Sequence, residues 1–133
     1  MMHVKSFDEV WVRFREIEIS ESFDMIVAIA QGGIIPAAIL NQRLNIDFHI
    51  IHINLRDPAH RPQHDKPILL SPIDFNCTGK KILLIDDRIK TGSTIVLAKE
   101  VLKDAAEIKT FAVNGEADYA LYNEACFRFP WLL

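Results

Sequence analysis

The sequence predicts a single α/β domain in which a mainly parallel sheet is flanked by helices. Short apolar runs that are typical of buried strands alternate with segments whose apolar residues recur at helical spacing. Three of the five glycines, Gly32, Gly33 and Gly92, lie shortly after such runs, where open α/β sheets bind their ligands. Because no linker, repeat or low-complexity stretch interrupts the chain, we expect residues 1–133 to form this one domain.

Each element has its own signal in the sequence. The capping-box pattern from Ser6 to Glu9 opens a helix whose apolar residues continue to Ile17. Pro36 stands near the start of a second helix that ends around Leu44. A third helix is expected over residues 93–104, and strands over residues 25–30, 48–55, 81–86 and 108–113.

Composition restricts the classes of protein to which the chain can belong. A net charge of −3 argues against a nucleic-acid-binding surface, which needs a basic excess. The longest apolar stretch, residues 25–30, is far too short to span a membrane, and residues 1–9 lack the apolar core of a signal peptide. Cys77 and Cys126 are too few and too far apart for a disulfide framework or a zinc site. We therefore expect a cytoplasmic protein with reduced cysteines.

The most informative segment is residues 82–94, Ile-Leu-Leu-Ile-Asp-Asp-Arg-Ile-Lys-Thr-Gly-Ser-Thr. Four apolar residues lead into Asp86 and Asp87, and a hydroxyl-rich turn then opens a helix. Loop amides and a helix N-terminus bind phosphate well, whereas carboxylates only accept hydrogen bonds and suit sugar hydroxyls or the water shell of Mg²⁺. The pattern therefore predicts a sugar-phosphate site. An ordinary strand, an Asp helix cap and a turn are the structural alternative.

This segment resembles the phosphoribosyl-diphosphate signature of the type I phosphoribosyltransferases, with departures at Arg88 and Lys90. The resemblance implies the fold of that family. It also implies that Asp86 and Asp87 are the catalytic pair that holds the ribose hydroxyls of phosphoribosyl diphosphate (PRPP). The residues that it assigns to the 5′-phosphate are Lys90, Thr91, Gly92, Ser93 and Thr94.

A second resemblance lies in the loop after the first strand, residues 28–40. It is similar to the pyrophosphate loop of the same family, closest to the short 6-oxopurine enzymes of the xanthine–guanine and hypoxanthine type. The resemblance assigns Ala30, Gln31, Gly32 and Gly33 to pyrophosphate and allows a non-proline cis peptide in the loop. Gln31 stands where relatives often carry a basic residue. A Gly-Gly turn before a helix is the alternative.

The polar segment of residues 56–67 is predicted to be a lid that excludes water from the site. Arg56 and Arg61 are its candidate cations for the diphosphate. Long segments of this kind often cover active sites, and members of the family place a flexible catalytic loop between the same elements. A solvated surface loop is the alternative.

The C-terminus is predicted to form a short aromatic hood, because Phe127, Phe129 and Trp131 alternate and would share one face of a strand. In the short purine enzymes an aromatic residue near the chain end covers the base, and the resemblance transfers this role to Trp131. Docking of an aromatic tail into the core or into a dimer interface is the alternative.

The resemblance implies a nucleobase phosphoribosyltransferase of purine salvage that moves 5-phosphoribose from PRPP to a purine-like base and releases pyrophosphate. Its partners would be PRPP and a nucleobase, with Mg²⁺ as cofactor, no side chain assigned as a direct metal ligand, and a homodimer as the expected assembly. No nucleic-acid or membrane partner is expected.

Two departures from the family pattern leave a second function open. Lys90 replaces an acid that lies near the purine in relatives, and Asn114 stands near the position of their base-reading lysine, where its amide could donate a hydrogen bond. Arg88 is expected to pair with the two acids or with a neighbouring subunit. The alternative function is a non-catalytic regulator that binds PRPP or a nucleotide.

Overall fold

The computed structural model describes residues 4–54 and 66–133. Six strands form one sheet in the order β3-β2-β1-β4-β5-β6, and all neighbouring pairs are parallel except β2 with β3. The strands are β1 (Met25–Ala30), β2 (Asp47–Asn54), β3 (Ile68–Leu69), β4 (Lys81–Ile89), β5 (Glu107–Gly115) and β6 (Tyr119–Tyr122). The mainly parallel α/β class predicted from the sequence is confirmed.

Three helices flank this sheet: α1 (Phe7–Glu16), α2 (Ile34–Leu44) and α3 (Ser93–Val101). The predicted capping box of α1 is present, because Glu9 donates its amide to Oγ of Ser6 and Ser6 donates its amide to Oε1 of Glu9, each at 3.1 Å. No helix in the described ranges is long and apolar enough to cross a membrane.

The sheet buries an apolar cluster on each face. One cluster joins α1, α2 and the C-terminal segment through large side chains such as Phe14, Leu40 and Phe111. The other packs α3 against β1, β2 and β4, with Ile95 and Ala98 at its centre. Each fully buried large apolar side chain stabilises the fold by roughly 1.5–3 kcal/mol, so the two layers hold the sheet rigidly.

The order of the strands determines where a site can form. Strand β1 pairs with β2 through Ala30 and His52 and with β4 through Ala28 and Ile85. Because these three strands are parallel, the segments that follow them emerge side by side at one edge of the sheet. The two glycine-containing loops singled out in the sequence therefore lie next to each other.

Several boundaries differ from the sequence prediction. Strand β4 does not end at Asp86 but continues to Ile89, because β5 also extends to Gly115 and pairs with it there. Helix α3 ends at Val101, three residues before the predicted end. Short strands β3 and β6 were not predicted, and the alternating C-terminal aromatics form no strand, since only one bridge, Val4 with Arg128, occurs there among the described residues.

Candidate active site

The two acids occupy the last part of β4, and the backbone holds both carboxylates. The amide of Asp87 donates to Oδ1 of Asp86 at 2.8 Å, and the amide of Arg88 donates to Oδ1 of Asp87 at 2.7 Å. Burial, followed by the neighbouring charge of Asp87, raises the pKa of Asp86 to about 8. Asp86 therefore keeps its proton up to about pH 8, and a cationic ligand that takes the place of this proton would favour the ionised carboxylate.

The loop after β1 approaches this pair closely. A Cβ atom added at Gly32 would lie 2.5 Å from Oδ1 of Asp87, a separation at which one of the two groups must move. The peptide bond between Ala30 and Gln31 is cis, as the family resemblance allowed. The amide of Gly33 donates to the carbonyl oxygen of Ile29 at 2.8 Å and closes the turn. The absence of a side chain at Gly32 thus lets the loop lie against the acids.

The turn between β4 and α3 has the features of an anion site. Gly92 is the N-cap of α3 and adopts a left-handed conformation with φ of 82°, and no side chain caps the helix. The hydroxyl groups of Thr91 and Ser93 lie 3.1 Å apart, and the amide of Ser93 donates to Oγ1 of Thr91 at 3.3 Å. The first-turn amides of α3 and these hydroxyl groups can therefore donate to a phosphate.

Two open cavities meet at this edge of the sheet. The loop cavity has a volume of about 270 Å³, and the strand-end cavity has a volume of about 530 Å³. The loop cavity is lined by Asp86, Arg88, Ile89, Lys90, Thr91, Gly92, Ser93, Thr94 and Ile95. The strand-end cavity is lined by Ile29, Ala30, Gly32, Ile53, Asn54, Asp86, Asp87 and Thr94. Asp86 and Thr94 belong to both, so one ligand can extend across the two.

The structure therefore brings most of the predicted site residues together. Lys90 is exposed and lines the loop cavity with the four residues of the turn. Gln31 is exposed and Gly33 is buried, and neither is among the described residues that line the strand-end cavity. Arg56 and Arg61 of the predicted lid lie outside the described residues.

Arg88 does not pair with the two acids, the first of the two partners that the sequence suggested, and its contact with a neighbouring subunit stays a prediction. Among the described residues no carboxylate forms an ion pair with it. Its Nη2 instead donates to the carbonyl oxygen of Phe127 at 2.7 Å, and its guanidinium lies 4.6 Å from the ring centre of Phe129. Because a charged donor binds a carbonyl oxygen strongly, Arg88 is held by the C-terminal segment and not by the acids.

The C-terminal aromatics form a continuous row of rings. Phe127 and Phe129 are fully buried with centroids 5.3 Å apart, and Trp131 stacks on Phe129 at 5.2 Å. Trp131 also lies near Phe7 and Phe14, at 6.3 and 6.4 Å. The first two rings dock into the core, as the alternative reading stated. Trp131 is partly exposed and is not among the described residues that line either cavity, so its contact with a base stays a prediction.

Asn114 is fully occupied by the backbone that leads to the aromatic row. Its Nδ2 donates to the carbonyl oxygens of Glu124 and Ala125 at 3.2 and 3.4 Å, and its Oδ1 accepts from the amide of Glu124 at 3.0 Å. The side chain is buried. The hydrogen bond to a base that we expected from Asn114 is therefore replaced by a structural role.

Ile53 and Asn54 are cavity residues that the sequence reasoning missed. Both lie at the carboxyl end of β2, next to the end of β1. The general location of ligands at carboxyl strand ends could have indicated them, but neither residue type signals binding by itself. Among residues 4–54 and 66–133, no group of three or more His, Cys, Asp or Glu side chains could hold a metal by itself.

Comparison with known proteins adds to this geometry. The phosphoribosyl transferase domain family matches residues 10–121. A xanthine-guanine phosphoribosyltransferase of Chromohalobacter salexigens is 31% identical over 119 residues, which cover 85% of this chain and 71% of that protein. A protein of the same name from Idiomarina loihiensis is 25% identical over 118 residues, 84% of this chain and 73% of that protein. A crystal structure of a purine phosphoribosyltransferase from Pyrococcus horikoshii superposes with a TM-score of 0.78 at 26% identity and covers 100% of this chain and 96% of that one.

Proposed function

Because this chain belongs to the phosphoribosyl transferase domain family and is an enzyme of that class, we propose that it transfers the 5-phosphoribosyl group of PRPP to a 6-oxopurine and releases pyrophosphate. The observation that carries the proposal is the close approach of Gly32 to Asp87, which joins the two family motifs in one site. The named relatives favour catalysis over the alternative of a non-catalytic regulator.

We assign the 5′-phosphate to the loop cavity and the ribose and diphosphate to the strand-end cavity. The turn from Lys90 to Thr94 offers amides, hydroxyl groups and one cation to the phosphate. Asp86 and Asp87 would accept hydrogen bonds from the ribose hydroxyls. The backbone from Ala30 to Gly33 would face the diphosphate. Since Asp86 and Thr94 line both cavities, the phosphate and the ribose of one PRPP molecule fit this division.

The proposed reaction breaks the bond between C1 of the ribose and the diphosphate oxygen, which leaves with the electron pair. The base nitrogen then forms its bond to C1, and its proton passes to the released pyrophosphate or to solvent. Positive charge develops on the sugar between these steps, and the carboxylates of Asp86 and Asp87 would stabilise it because they are already fixed by the amides of the next residues. Positioning and electrostatics supply the catalysis, and no covalent intermediate with the protein is needed.

The donor set fits Mg²⁺. The ion prefers oxygen ligands and commonly binds through one or two carboxylates together with water and substrate phosphates. Asp86 and Asp87 offer two adjacent carboxylates to the water shell of the ion. Burial and the neighbouring charge of Asp87 raise the pKa of Asp86, and a nearby cation would favour its ionised form. When bound with PRPP, Mg²⁺ would neutralise charge that builds on the diphosphate.

Three further features belong to the proposal. Trp131 would cover the base, at the outer end of the aromatic row. A homodimer is the expected assembly because the family commonly forms dimers. We also propose a cytoplasmic location, which the two free cysteines, Cys77 and Cys126, support.

The test is release of pyrophosphate from PRPP and Mg²⁺ with hypoxanthine, guanine, xanthine, adenine, uracil and orotate offered in turn. We expect release that depends on a 6-oxopurine and that is lost in Asp86→Asn and in Asp87→Asn. Asp104→Asn is the matched control, because that side chain is exposed just after α3 and should leave turnover unchanged. Release with orotate or uracil alone would contradict the assigned base class, and no release with any base would contradict the transferase assignment.

A further inference from the structure

Arg88 links the acidic pair to the C-terminal aromatic row. Its amide donates to the carboxylate of Asp87 at 2.7 Å, while its guanidinium donates to the carbonyl oxygen of Phe127 at 2.7 Å and lies over the ring of Phe129. One residue thus holds a catalytic carboxylate with its backbone and a distant part of the chain with its side chain. Arg88 also lines the loop cavity, so this link lies at the edge of the site.

The contacts of Arg88 are directional. A guanidinium can donate in its plane to a carbonyl oxygen and at the same time stack its face on an aromatic ring, whereas an ammonium group cannot reproduce both contacts. Among the described residues, Nε of Arg88 is buried without a hydrogen-bond partner. The guanidinium is therefore held by a backbone carbonyl and a ring, and these two contacts determine its position.

The C-terminal segment has other attachments away from the acids. At its start, Asn114 binds the backbone of Glu124, and Lys5 pairs with the Glu124 carboxylate at 2.9 Å. A bridge between Val4 and Arg128 joins the row itself to the N-terminal residues of the described chain. Only Arg88, among the described residues, ties the aromatic row to the end of β4 by a side-chain hydrogen bond.

We propose that Arg88 is a positioning residue that fixes the aromatic row, residues 127–131, relative to Asp87 and thereby sets the affinity for the base. The inference rests on the proposed function, since the base is the ligand that would meet this row beside the ribose. Arg88 also lines the loop cavity that we assign to the 5′-phosphate, so loss of its side chain affects both ligands. Because its side-chain hydrogen bond and its ring contact are both with the aromatic row, binding of the base weakens more than binding of PRPP.

Steady-state kinetics with PRPP and with guanine or xanthine test this, using Arg88→Ile and Arg88→Lys. We expect KM for the base to rise about tenfold in Arg88→Ile, a change that one lost charge-assisted hydrogen bond can produce, and KM for PRPP to rise less, by about threefold at most. Arg88→Lys keeps the charge but not both contacts, so its KM for the base should lie between the values of the wild type and of Arg88→Ile. It also carries the test if Arg88→Ile does not fold.

Arg13→Leu is the matched control. Arg13 makes the same kinds of contact away from the loop and strand-end cavities. Its Nη1 donates to the carbonyl oxygen of Leu121 at 3.1 Å, and its guanidinium lies 4.6 Å from the ring centre of Tyr122. The Arg13→Leu variant should lower the free energy of unfolding about as much as Arg88→Ile does, without changing KM for the base. A second readout is quenching of Trp131 fluorescence by acrylamide in a Trp11→Phe background, which should increase in Arg88→Ile, because Trp11 and Trp131 are the only tryptophans.

The outcomes separate this inference from the proposed function. A wild type without base-dependent turnover contradicts the proposed function. An active wild type whose base KM is unchanged in Arg88→Ile, or equally raised in Arg13→Leu, overturns the role of Arg88 and leaves the transferase intact. Equal rises in the KM values for base and PRPP would also overturn it, because they would indicate a general loosening of the site.

Discussion

Gly32 lies directly against the carboxylate of Asp87, so that a Cβ atom at Gly32 would come within 2.5 Å of Oδ1. These residues are 55 positions apart in the chain and belong to the two sequence motifs that the family resemblance associated with diphosphate and ribose. Their contact follows from the pairing of β1 with β4 in a parallel sheet. The site is therefore assembled by the topology of the sheet, and the missing side chain at Gly32 is what allows it.

Gly32→Ala should reduce activity more than stability. The added methyl group meets the end of a flexible side chain, so Asp87 can rotate away and relieve the clash at the expense of its proposed ribose contact. We expect kcat/KM for PRPP to fall at least about tenfold, as the loss of a hydrogen bond from a charged acceptor implies.

Gly79→Ala provides the contrasting control for this prediction. Gly79 has φ of 70° and no neighbouring atom within 4 Å of an added Cβ, and it lies outside both cavities. The Gly79→Ala variant should lose about 1 kcal/mol of unfolding free energy, because an L side chain is strained at positive φ. Its activity should be unchanged. Equal activity in the two variants would contradict the account of Gly32.

The raised pKa of Asp86 makes stability depend on pH. With a pKa of about 8 in the folded protein and about 3.9 in the unfolded chain, the folded state binds more protons between these values. The free energy of unfolding of the wild type should therefore fall as pH rises through this range. Asp86→Asn lacks this decrease because its side chain cannot ionise.

Urea unfolding at pH 5 and pH 8 measures this effect. We expect the unfolding free energy of Asp86→Asn, relative to that of the wild type, to increase by about 1–3 kcal/mol from pH 5 to pH 8. Asp104→Asn should follow the wild type. A constant difference between wild type and Asp86→Asn at both pH values would show that the Asp86 carboxyl titrates normally.

Lys90 should contribute charge to phosphate binding but little geometry, because it is exposed at the rim of the loop cavity. Lys90→Met is expected to raise KM for PRPP about threefold at low salt, the scale of an exposed charge interaction. The difference should largely disappear at about 1 M KCl, where the screening length is short. Lys99→Met, in the last turn of α3, should show no change at either salt concentration. A salt-independent effect at Lys90 would indicate a direct role in contacting the base.

Asn114 should matter for stability because its buried amide makes three hydrogen bonds to the backbone of residues 124 and 125. Asn114→Ala leaves those backbone groups without a partner and should cost about 2–4 kcal/mol of unfolding free energy. Asn76→Ala removes one exposed hydrogen bond, to the amide of Thr78, and should cost less than about 1 kcal/mol. Similar losses in both variants would mean that the Asn114 network adds nothing beyond an ordinary turn.

The sequence predicted the fold, and it predicted most of the residues that the structure brings together at the sheet edge, because both depend on local patterns. Apolar runs, the placement of glycines and the acid pair can each be recognised within about a dozen residues of sequence. The pairing of parallel strands then brings the loops together. The extension of β4 to Ile89 was not readable, because its polar residues are held in the strand by pairing with β5 and not by burial. Ile53 and Asn54 escaped notice for a related reason, since only the neighbour relation of β1 and β2 makes them cavity residues.

The partner of Arg88 could not have been predicted either. An arginine after two aspartates suggests an ion pair when only neighbours in sequence are considered. The structure places the guanidinium against Phe127 and Phe129, which lie about forty residues later and reach it through the packing of the C-terminal segment. The Asn114 side chain also binds the backbone of this segment, whereas the sequence analysis considered it as a possible hydrogen-bond donor to a ligand.

The most direct test of the central claim is product analysis after incubation of the protein with PRPP, Mg²⁺ and guanine or xanthine. We expect a nucleoside 5′-monophosphate and pyrophosphate in equal amounts, and neither product with the Asp86→Asn/Asp87→Asn double variant. If the wild type binds PRPP but forms no nucleotide with either base, the chain does not transfer phosphoribose to a 6-oxopurine, and the central claim is wrong.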